Sequence, residues 1–268
     1  MNATPRVRPL IIGHRGSSAI APENTLAAFR RAMEEGADGF EFDVRLARDR
    51  KPVVIHDATL QRTAGHPNLV SDLTSDELRQ IDVGSWFNRR HPKNAREEYA
   101  EETVPTLEQV FELTGGTNHL LYVEMKCDKN EALQLAAAVV QLVTQYSIIE
   151  QVVIESFDLS AIHEIKRLDS AIRTAALFEP RIERPTSLLR RAETIELALN
   201  AGANQLALHH SLASKRVVDK AISAGLSVVV WTVDNINWLK RALSAGIEAL
   251  ITNNPAILLK ERSRLTAI

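Results

Sequence analysis

The chain has 268 residues, a length that suits one large α/β barrel or two domains of ordinary size. Apolar residues make up 45% of it and charged residues 25%, the balance of a globular protein. Lys and Arg total 32 against 34 Asp and Glu, the formal charge is -2, and no basic stripe is present, so nothing indicates a nucleic-acid partner.

Two apolar segments near the N-terminus predict parallel strands. PLIIGHRG (9–16) precedes a helix-like stretch, and ADGFEFDVRL (37–46) follows that stretch. A third segment, PVVIHD (52–57), lies too close to the second for a helical crossover, which needs roughly a dozen residues. We therefore predict an antiparallel hairpin, with His56 placed opposite Asp43.

Residues from about 57 to 104 are irregular, with charge clusters and the segments TAGHPN, GSWF and HPKNAREEYAEE. Loops of this length are usually functional or disordered. We interpret this stretch as an insertion that forms a cap at the mouth of the fold. It ends at a predicted helix, PTLEQVFELTG (105–115).

From residue 119 onward, six short apolar runs alternate with amphipathic stretches. The runs are HLLYVEMK, QVVIESF, AIRTAALF, NQLALHH, LSVVVWTV and EALITN. One intervening stretch predicts a helix that buries a stripe made of Leu133, Ala136, Ala137, Val140 and Val143. Together with the two N-terminal strands, the runs predict a single α/β domain over residues 1–268, a parallel (β/α)8 barrel of the TIM type.

Two strand segments carry carboxylates toward the barrel interior. Glu41 and Asp43 are two residues apart, so both side chains point to one face of a strand. Buried together they would repel each other, and a divalent cation would relieve that repulsion. Glu124 would complete a hard-oxygen site for Mg²⁺ or Ca²⁺. The alternatives are that one carboxylate of the pair faces solvent, and that Glu124 forms an internal salt bridge with Lys126.

The ends of other strands supply further candidates. His14 and Arg15 end the first strand, at the carboxyl face where barrel active sites lie. Arg binds phosphate through two parallel donors, and His suits proton transfer near neutral pH. Lys126 would balance the charge of a bound phosphate. Trp231 would form a wall of the pocket, and a role in core packing carries equal weight.

The sequence gives no sign of secretion or of a membrane span. Cys127 is the one cysteine, so a disulfide framework is excluded. The N-terminal segment lacks an apolar core of signal-peptide length, and no stretch approaches the roughly 20 apolar residues of a span. We expect a cytoplasmic protein, and self-association into a homo-oligomer is left open.

In this order, HRGSSAIAPENTLAAF, EFDV, VVIHD, PTLEQV, EMK, ESFD and VVVWTVD resemble the glycerophosphodiester phosphodiesterase family over nearly the whole chain. HRG, PENT, ExD, HD and ExK are specific in combination, whereas no single one is. The resemblance implies a β/α barrel with an insertion at its mouth. It also implies metal-dependent hydrolysis of sn-glycero-3-phospho-alcohols, which are small-molecule substrates, to glycerol 3-phosphate and an alcohol.

The resemblance also implies roles for individual residues. The implied roles are an acid/base pair of His14 and His56, ligands for one divalent cation (Mg or Ca) from Glu41, Asp43 and Glu124, phosphate contacts from Arg15 and Lys126, and Trp231 on the alcohol side. The chain departs from the family at Asn253, where an Asp is common. That change removes a charge at the mouth and leaves the metal and histidine assignments intact.

Two other functions are weighed against this one. A lysophospholipase D or a phosphoinositide-type barrel phosphodiesterase would need an apolar lip, and GSWF (84–87) is the one obvious apolar cluster of the insertion. A non-catalytic phosphodiester-binding barrel is disfavoured, because such relatives usually lose a catalytic group. Here both histidines and all three carboxylates are present.

Overall fold

Eight parallel strands close into a barrel in the computed structural model, which describes residues 8–180 and 190–266. The strands are β1 (Leu10–His14), β2 (Gly39–Leu46), β3 (Pro52–Val54), β4 (Leu120–Met125), β5 (Val152–Ser156), β6 (Arg173–Phe178), β7 (Gln205–His209), β8 (Ser227–Trp231) and β9 (Ala249–Thr252). In the order β1-β9-β8-β7-β6-β5-β4-β2 each strand pairs with the next, and β1 pairs with β2 to close the ring. The remaining strand, β3, is antiparallel to β2. The predicted barrel is confirmed.

Helices connect the parallel strands and surround the barrel. They are α1 (Leu26–Glu34), α2 (Gln61–Ala64), α3 (Ser75–Leu78), α4 (Ser85–Arg90), α5 (Leu107–Thr114), α6 (Ala132–Gln145), α7 (Leu159–Leu168), α8 (Arg190–Asn200), α9 (Lys215–Ser223), α10 (Asn237–Ala245) and α11 (Pro255–Thr266). Thr25 begins α1 by accepting a hydrogen bond from the Ala28 N–H, and Thr106 begins α5 with a capping box. No helix in these two ranges has both the length and the apolar character needed to cross a bilayer.

Alternation along β2 decides which side chains face the barrel interior. Phe40 and Phe42 pack outward, and the Phe40 ring stacks on Phe29 of α1 with ring centroids 4.6 Å apart. Because side chains alternate along a strand, Glu41 and Asp43 must point the other way. Both are buried, at 2% and 0% exposure. The interior carboxylates are therefore placed by the phenylalanines that flank them.

The predicted hairpin forms, but its register was wrong by one residue. Val44 pairs with Val54, and the Ile55 N–H donates to the Asp43 carbonyl at 2.9 Å. Ile55, not His56, therefore lies opposite Asp43. The turn centres on Asp49 rather than after it, because Arg50 adopts a left-handed conformation (φ 63°).

The helix α6 also forms, with a different buried face from the predicted one. Leu133 is 50% exposed, and Ala137 is exposed as well. The residues that α6 buries are Ala132, Leu135, Ala136, Val139, Leu142 and Val143. Apolar residues occupy nearly every turn of this helix, so packing against its neighbours, rather than the sequence pattern, selects the face.

The stretch 57–104 folds into short helical segments that pack on the hairpin and on the loop after β1. Leu60 and Leu78 cluster with Val53 of β3. Farther along, Phe87 and Tyr99 are buried against residues 21 and 28. Its apolar contacts therefore tie this stretch to the barrel on two sides.

Candidate active site

A cavity of about 570 Å³ opens at the carboxyl ends of the barrel strands. Its lining includes seven of the predicted site residues, namely His14, Arg15, Glu41, His56, Glu124, Lys126 and Trp231. The eighth, Asp43, is fully buried and lies 3.2 Å from the Arg15 guanidinium. Segments far apart in sequence therefore bring all eight to one place.

Three carboxylates converge at the base of this cavity. One oxygen from each of Glu41, Asp43 and Glu124 lies within 4.8 Å of the other two. Asp43 and Glu124 are register partners on neighbouring strands, so the pairing of β2 with β4 sets their separation. Asn24 orients Asp43 within this cluster, because its Nδ2 donates to Asp43 Oδ2 at 2.8 Å.

The burial of this cluster sets its protonation. Burial, with repulsion from Asp43, raises the pKa of Glu41 well above its usual value and that of Glu124 to about 8. Asp43 behaves oppositely, because Arg15 and Lys126 outweigh its burial and hold its pKa well below the usual range. A cation bound between these groups would relieve the repulsion that raises the pKa values of Glu41 and Glu124.

The donor set fits a hard divalent cation. Glu41 Oε1 is buried and makes no hydrogen bond. Lys126 Nζ lies 2.6 Å from Glu124 and 3.2 Å from Asp43, so one ammonium serves two carboxylates. Carboxylate oxygens are the preferred ligands of Mg²⁺ and Ca²⁺. The residues present are therefore those that such an ion would need.

The turn after β1 directs Arg15 to the carboxylates. Arg15 itself has a positive φ of 55°, and Gly16 follows at φ 82°. A Cβ on Gly16 would lie 2.6 Å from the Ala28 backbone, so only glycine fits there. With this turn, the Arg15 N–H donates to Glu41 Oε2 at 3.0 Å, and its side chain pairs with Glu23 at 2.8 Å.

His14 lies between the carboxylates and the last barrel strand. Its Nε2 is 3.8 Å from Glu41 Oε2, and its Nδ1 is 2.7 Å from Asn253 Oδ1. Burial, with the nearby charge of Arg15, lowers the pKa of His14 to about 4. His14 is therefore neutral near pH 7 in this environment.

His56 reaches the cavity from the segment that follows β3. Its Nδ1 lies 2.7 Å from Asp57 Oδ1, and Asp57 Oδ2 accepts from Arg62 Nε at 2.6 Å. Arg62 also donates two hydrogen bonds to Glu23, the partner of Arg15. Burial lowers the pKa of His56. A chain of charged groups thus connects His56 to Arg15 through the first turn of the insertion.

An apolar wall faces the charged groups. Trp231 packs edge-on against Phe157, with ring centroids 5.5 Å apart, and Leu177 and Ile251 complete the wall. Lys126 Nζ lies 5.6 Å from the Phe157 ring centroid. The cavity therefore has a charged side suited to a phosphate and an apolar side suited to carbon atoms.

Sequence reasoning missed several residues of the site. Glu155 is 1% exposed, lines the cavity and is the register partner of Glu124 on β5. Glu155 begins the ESF segment near the end of its strand, just as Glu124 begins EMK, so the sequence does carry a signal for it. Glu179 also lines the cavity. The contact of Asn253 with His14 was also missed, although a closed barrel places its last strand beside its first.

Comparison with known proteins gives consistent matches over most of the chain. The model of the Glycerophosphoryl diester phosphodiesterase family matches residues 14–257. A glycerophosphodiester phosphodiesterase of Caldanaerobacter subterraneus subsp. tengcongensis is 32% identical over 253 residues, which cover 94% of this chain and 97% of the relative. One from Bacillus subtilis is 30% identical over 258 residues, 94% of this chain and 86% of that relative.

A solved structure shows the same similarity in three dimensions. A phosphodiesterase from Oleispira antarctica, in complex with the product sn-glycerol-3-phosphate, matches with a TM-score of 0.81 and 28% identity. The match covers 95% of this chain and 97% of that one.

Proposed function

The chain belongs to the glycerophosphoryl diester phosphodiesterase family, and we propose that the cavity at its barrel mouth is where it hydrolyses sn-glycero-3-phospho-alcohols. The products are glycerol 3-phosphate and a free alcohol. The observation that carries this proposal is the convergence of two histidines, three carboxylates, Arg15 and Lys126 on one cavity. Metal-assisted cleavage of a phosphodiester can use each of these groups: acid/base side chains, ligands for a cation, and fixed positive charge on the phosphate.

Glu41, Asp43 and Glu124 would hold one divalent cation, either Mg²⁺ or Ca²⁺. When bound, it supplies positive charge that offsets charge on the phosphate oxygens. The unpartnered Glu41 Oε1 and the mutual repulsion of the three carboxylates support this assignment.

Arg15 and Lys126 would bind the phosphate beside that site. Both side chains line the cavity while their charge is held in place by Asp43. Fixed cations of this kind stabilise charge that develops in the transition state without reorganising during the reaction. Trp231 and Phe157 would pack against carbon atoms of the alcohol side.

His14 and His56 would be the acid/base pair. The Nδ1 of each imidazole is hydrogen-bonded to a side chain behind it, which leaves Nε2 for proton transfer. One histidine would deprotonate the nucleophile and the other would protonate the leaving alkoxide. The nucleophile is either water or the 2-hydroxyl of the glycerol moiety.

The insertion favours small substrates over lipids. Its apolar cluster would have to form a lip for an acyl chain. Instead Phe87 is 1% exposed, and Trp86 Nε1 donates to the Val83 carbonyl at 2.7 Å. We propose that residues 57–104 act as a cap that helps to select the substrate.

The enzyme is proposed to work in the cytoplasm. The support is compositional, because the chain has one cysteine and no intrachain disulfide is possible. Fractionation of the native host cells, followed by immunodetection, would test the compartment.

Phosphorus NMR of the products tests the function directly. The substrates are glycerophosphocholine, glycerophosphoethanolamine and a lysophospholipid, each with EDTA, Mg²⁺ or Ca²⁺. We expect glycerol 3-phosphate from the first two, only in the presence of a cation. Cleavage confined to the lysophospholipid, or undiminished after exhaustive chelation, would contradict the proposal.

A further inference from the structure

A hydrogen-bonded chain leads from the loop after β8 to His14. Asp234 Oδ2 accepts from Asn253 Nδ2 at 2.7 Å, and Asp234 Oδ1 accepts from the Asn253 N–H at 2.9 Å. On the other side of the amide, Asn253 Oδ1 accepts from Ser18 Oγ at 3.0 Å and lies 2.7 Å from His14 Nδ1. Asn253 therefore stands between a carboxylate and an imidazole.

The chemistry of these groups fixes the direction of every hydrogen bond. A carboxylate only accepts, so the NH₂ end of the Asn253 amide must face Asp234. The carbonyl oxygen of the amide must then face His14. Because a carbonyl oxygen also only accepts, the proton of a neutral His14 must be on Nδ1.

From this polarity we propose that Asn253, oriented by Asp234, is a positioning residue that holds His14 as the Nδ1–H tautomer. Nε2 then carries the lone pair, on the side of the ring that lies 3.8 Å from Glu41. A histidine side chain in water prefers the Nε2–H tautomer, so the protein must impose the Nδ1–H form. The inference rests on the proposed function for its meaning in catalysis, and on the hydrogen bonds alone for the tautomer.

The backbone of Asn253 supports the same arrangement. Its carbonyl accepts from the Ala19 N–H at 2.9 Å, so the loop that follows His14 is held to the end of β9. Thr252 Oγ1 also donates to Asp234 Oδ1 at 3.0 Å, which gives this carboxylate a third donor. Both ends of the contact between His14 and Asn253 are thereby fixed.

Nitrogen NMR of the resting protein tests the tautomer without any activity. The full chain is labelled with ¹⁵N-histidine, and the His14 signals are assigned by their loss in His14→Gln. At a pH where His14 is neutral, we expect a protonated Nδ1 and a bare Nε2 in the wild type. In Asn253→Ala the Nε2–H form should appear. A wild-type His14 that is already protonated on Nε2 would overturn the proposal, and so would an Nδ1–H tautomer that survives Asn253→Ala.

Steady-state kinetics with glycerophosphocholine test the consequence. Asn253→Ala should lower kcat by about 10- to 100-fold, the usual effect of removing such a supporting partner, with KM changed less than about threefold. Asn235→Ala is the matched control. Its side chain accepts from the Asn237 N–H at the start of α10 and makes no contact with His14, so kcat should stay within about twofold.

Exchanging the side chains of Asn253 and Asp234 distinguishes a positioning role of Asn253 from a simple loss of structure. Asn253→Asp alone sets two carboxylates against each other and should lose activity. Adding Asp234→Asn lets the new amide donate to the new carboxylate, which can still accept from His14 Nδ1, and should recover most of kcat. A double variant no better than Asn253→Asp would refute the positioning role. An inactive wild type that shows the expected tautomer would instead refute the proposed function.

Discussion

Replacing Glu41 with glutamine should stabilise the metal-free protein while weakening its response to a cation. Glu41, Asp43 and Glu124 have oxygens within 4.8 Å of one another. The Glu41→Gln substitution would remove one charge from this group. The amide oxygen of the new side chain could still accept from the Arg15 N–H, the bond that Glu41 Oε2 now makes at 3.0 Å.

The size of this stabilisation follows from the distance between the carboxylate oxygens. Two unit charges 4.8 Å apart repel by roughly 3.5 kcal/mol at an effective dielectric constant of about 20. Arg15 and Lys126 offset much of this, so we expect a net gain of about 1–2 kcal/mol in the unfolding free energy. For a chain of this size, each kcal/mol raises Tm by about 2–4 °C.

The stability that Glu41→Gln adds to the metal-free protein should increase with pH. Because the pKa of Glu41 is raised above its usual 4.5 on folding, the folded wild type binds more protons than the unfolded chain above that pH. Its stability then falls as the pH rises toward the folded pKa. The advantage of Glu41→Gln should be small near pH 4.5 and grow toward pH 8.

Thermal unfolding at pH 5 and pH 8, in EDTA or in Mg²⁺, measures both effects. A cation at 100 times its Kd should stabilise the wild type by about 2.7 kcal/mol, and the variant by clearly less, so the order of Tm values reverses. Glu196→Gln, an exposed change on α8, is the control for the substitution itself. A variant that is less stable than the wild type in EDTA at pH 8 and equally stabilised by Mg²⁺ would refute the reasoning.

Three further predictions concern the histidines, the insertion and their connection. His14→Ala and His56→Ala should each lower kcat/KM by about 10²–10⁴-fold and still bind the cation; losses of only a few-fold in glycerophosphocholine assays would make both histidines structural. Arg62→Ala removes the side chain that links Asp57, the partner of His56, to Glu23, the partner of Arg15. This change should lower kcat about 10-fold, whereas Arg79→Ala on the surface should not. Replacing residues 89–98, which lie outside the buried apolar clusters of the insertion, with a short linker should change KM more than Tm, and a chain that no longer folds would show that this segment is structural.

The barrel could be predicted because each of its parallel strands is a short apolar run between helix-like stretches. The same regularity predicted where the carboxylates meet. Because side chains alternate along a strand, Glu41 and Asp43 lie on the same face, and the parallel pairing of β2 with β4 brings Glu124 beside Asp43. These are local rules applied to neighbouring strands. Glu155 obeys them too, and it was missed only because the rule was not extended to β5.

What could not be predicted depends on exact geometry or on distant contacts. One left-handed residue, Arg50, shifts the hairpin by one position, and no strong turn signal marks it. The buried face of α6 depends on packing, because its apolar residues allow more than one face. A closed barrel places β9 beside β1, but the hydrogen bond between Asn253 and His14 depends on side-chain positions that no sequence pattern sets.

The surroundings of the two histidines differ in a way that predicts their roles. His14 Nδ1 faces the neutral amide of Asn253, whereas His56 Nδ1 faces the Asp57 carboxylate. A carboxylate stabilises an imidazolium, and a neutral amide does so less. Burial lowers the pKa of both histidines, but Asp43 and the hydrogen bond to Asp57 oppose that shift at His56, whereas the pKa of His14 falls to about 4. We therefore expect His14 to accept the proton of the nucleophile and His56 to donate to the leaving alkoxide.

Leaving-group dependence tests this assignment. A glycerophosphodiester of p-nitrophenol releases an anion that needs no proton, so its cleavage should be insensitive to loss of the acid. His56→Ala should then regain most of the activity that it loses on glycerophosphocholine, and His14→Ala should stay impaired. The reverse pattern would exchange the two roles, because only the variant that lacks the acid can be rescued by a better leaving group. It would also mean that the charge of Asp57 does not govern where the proton resides.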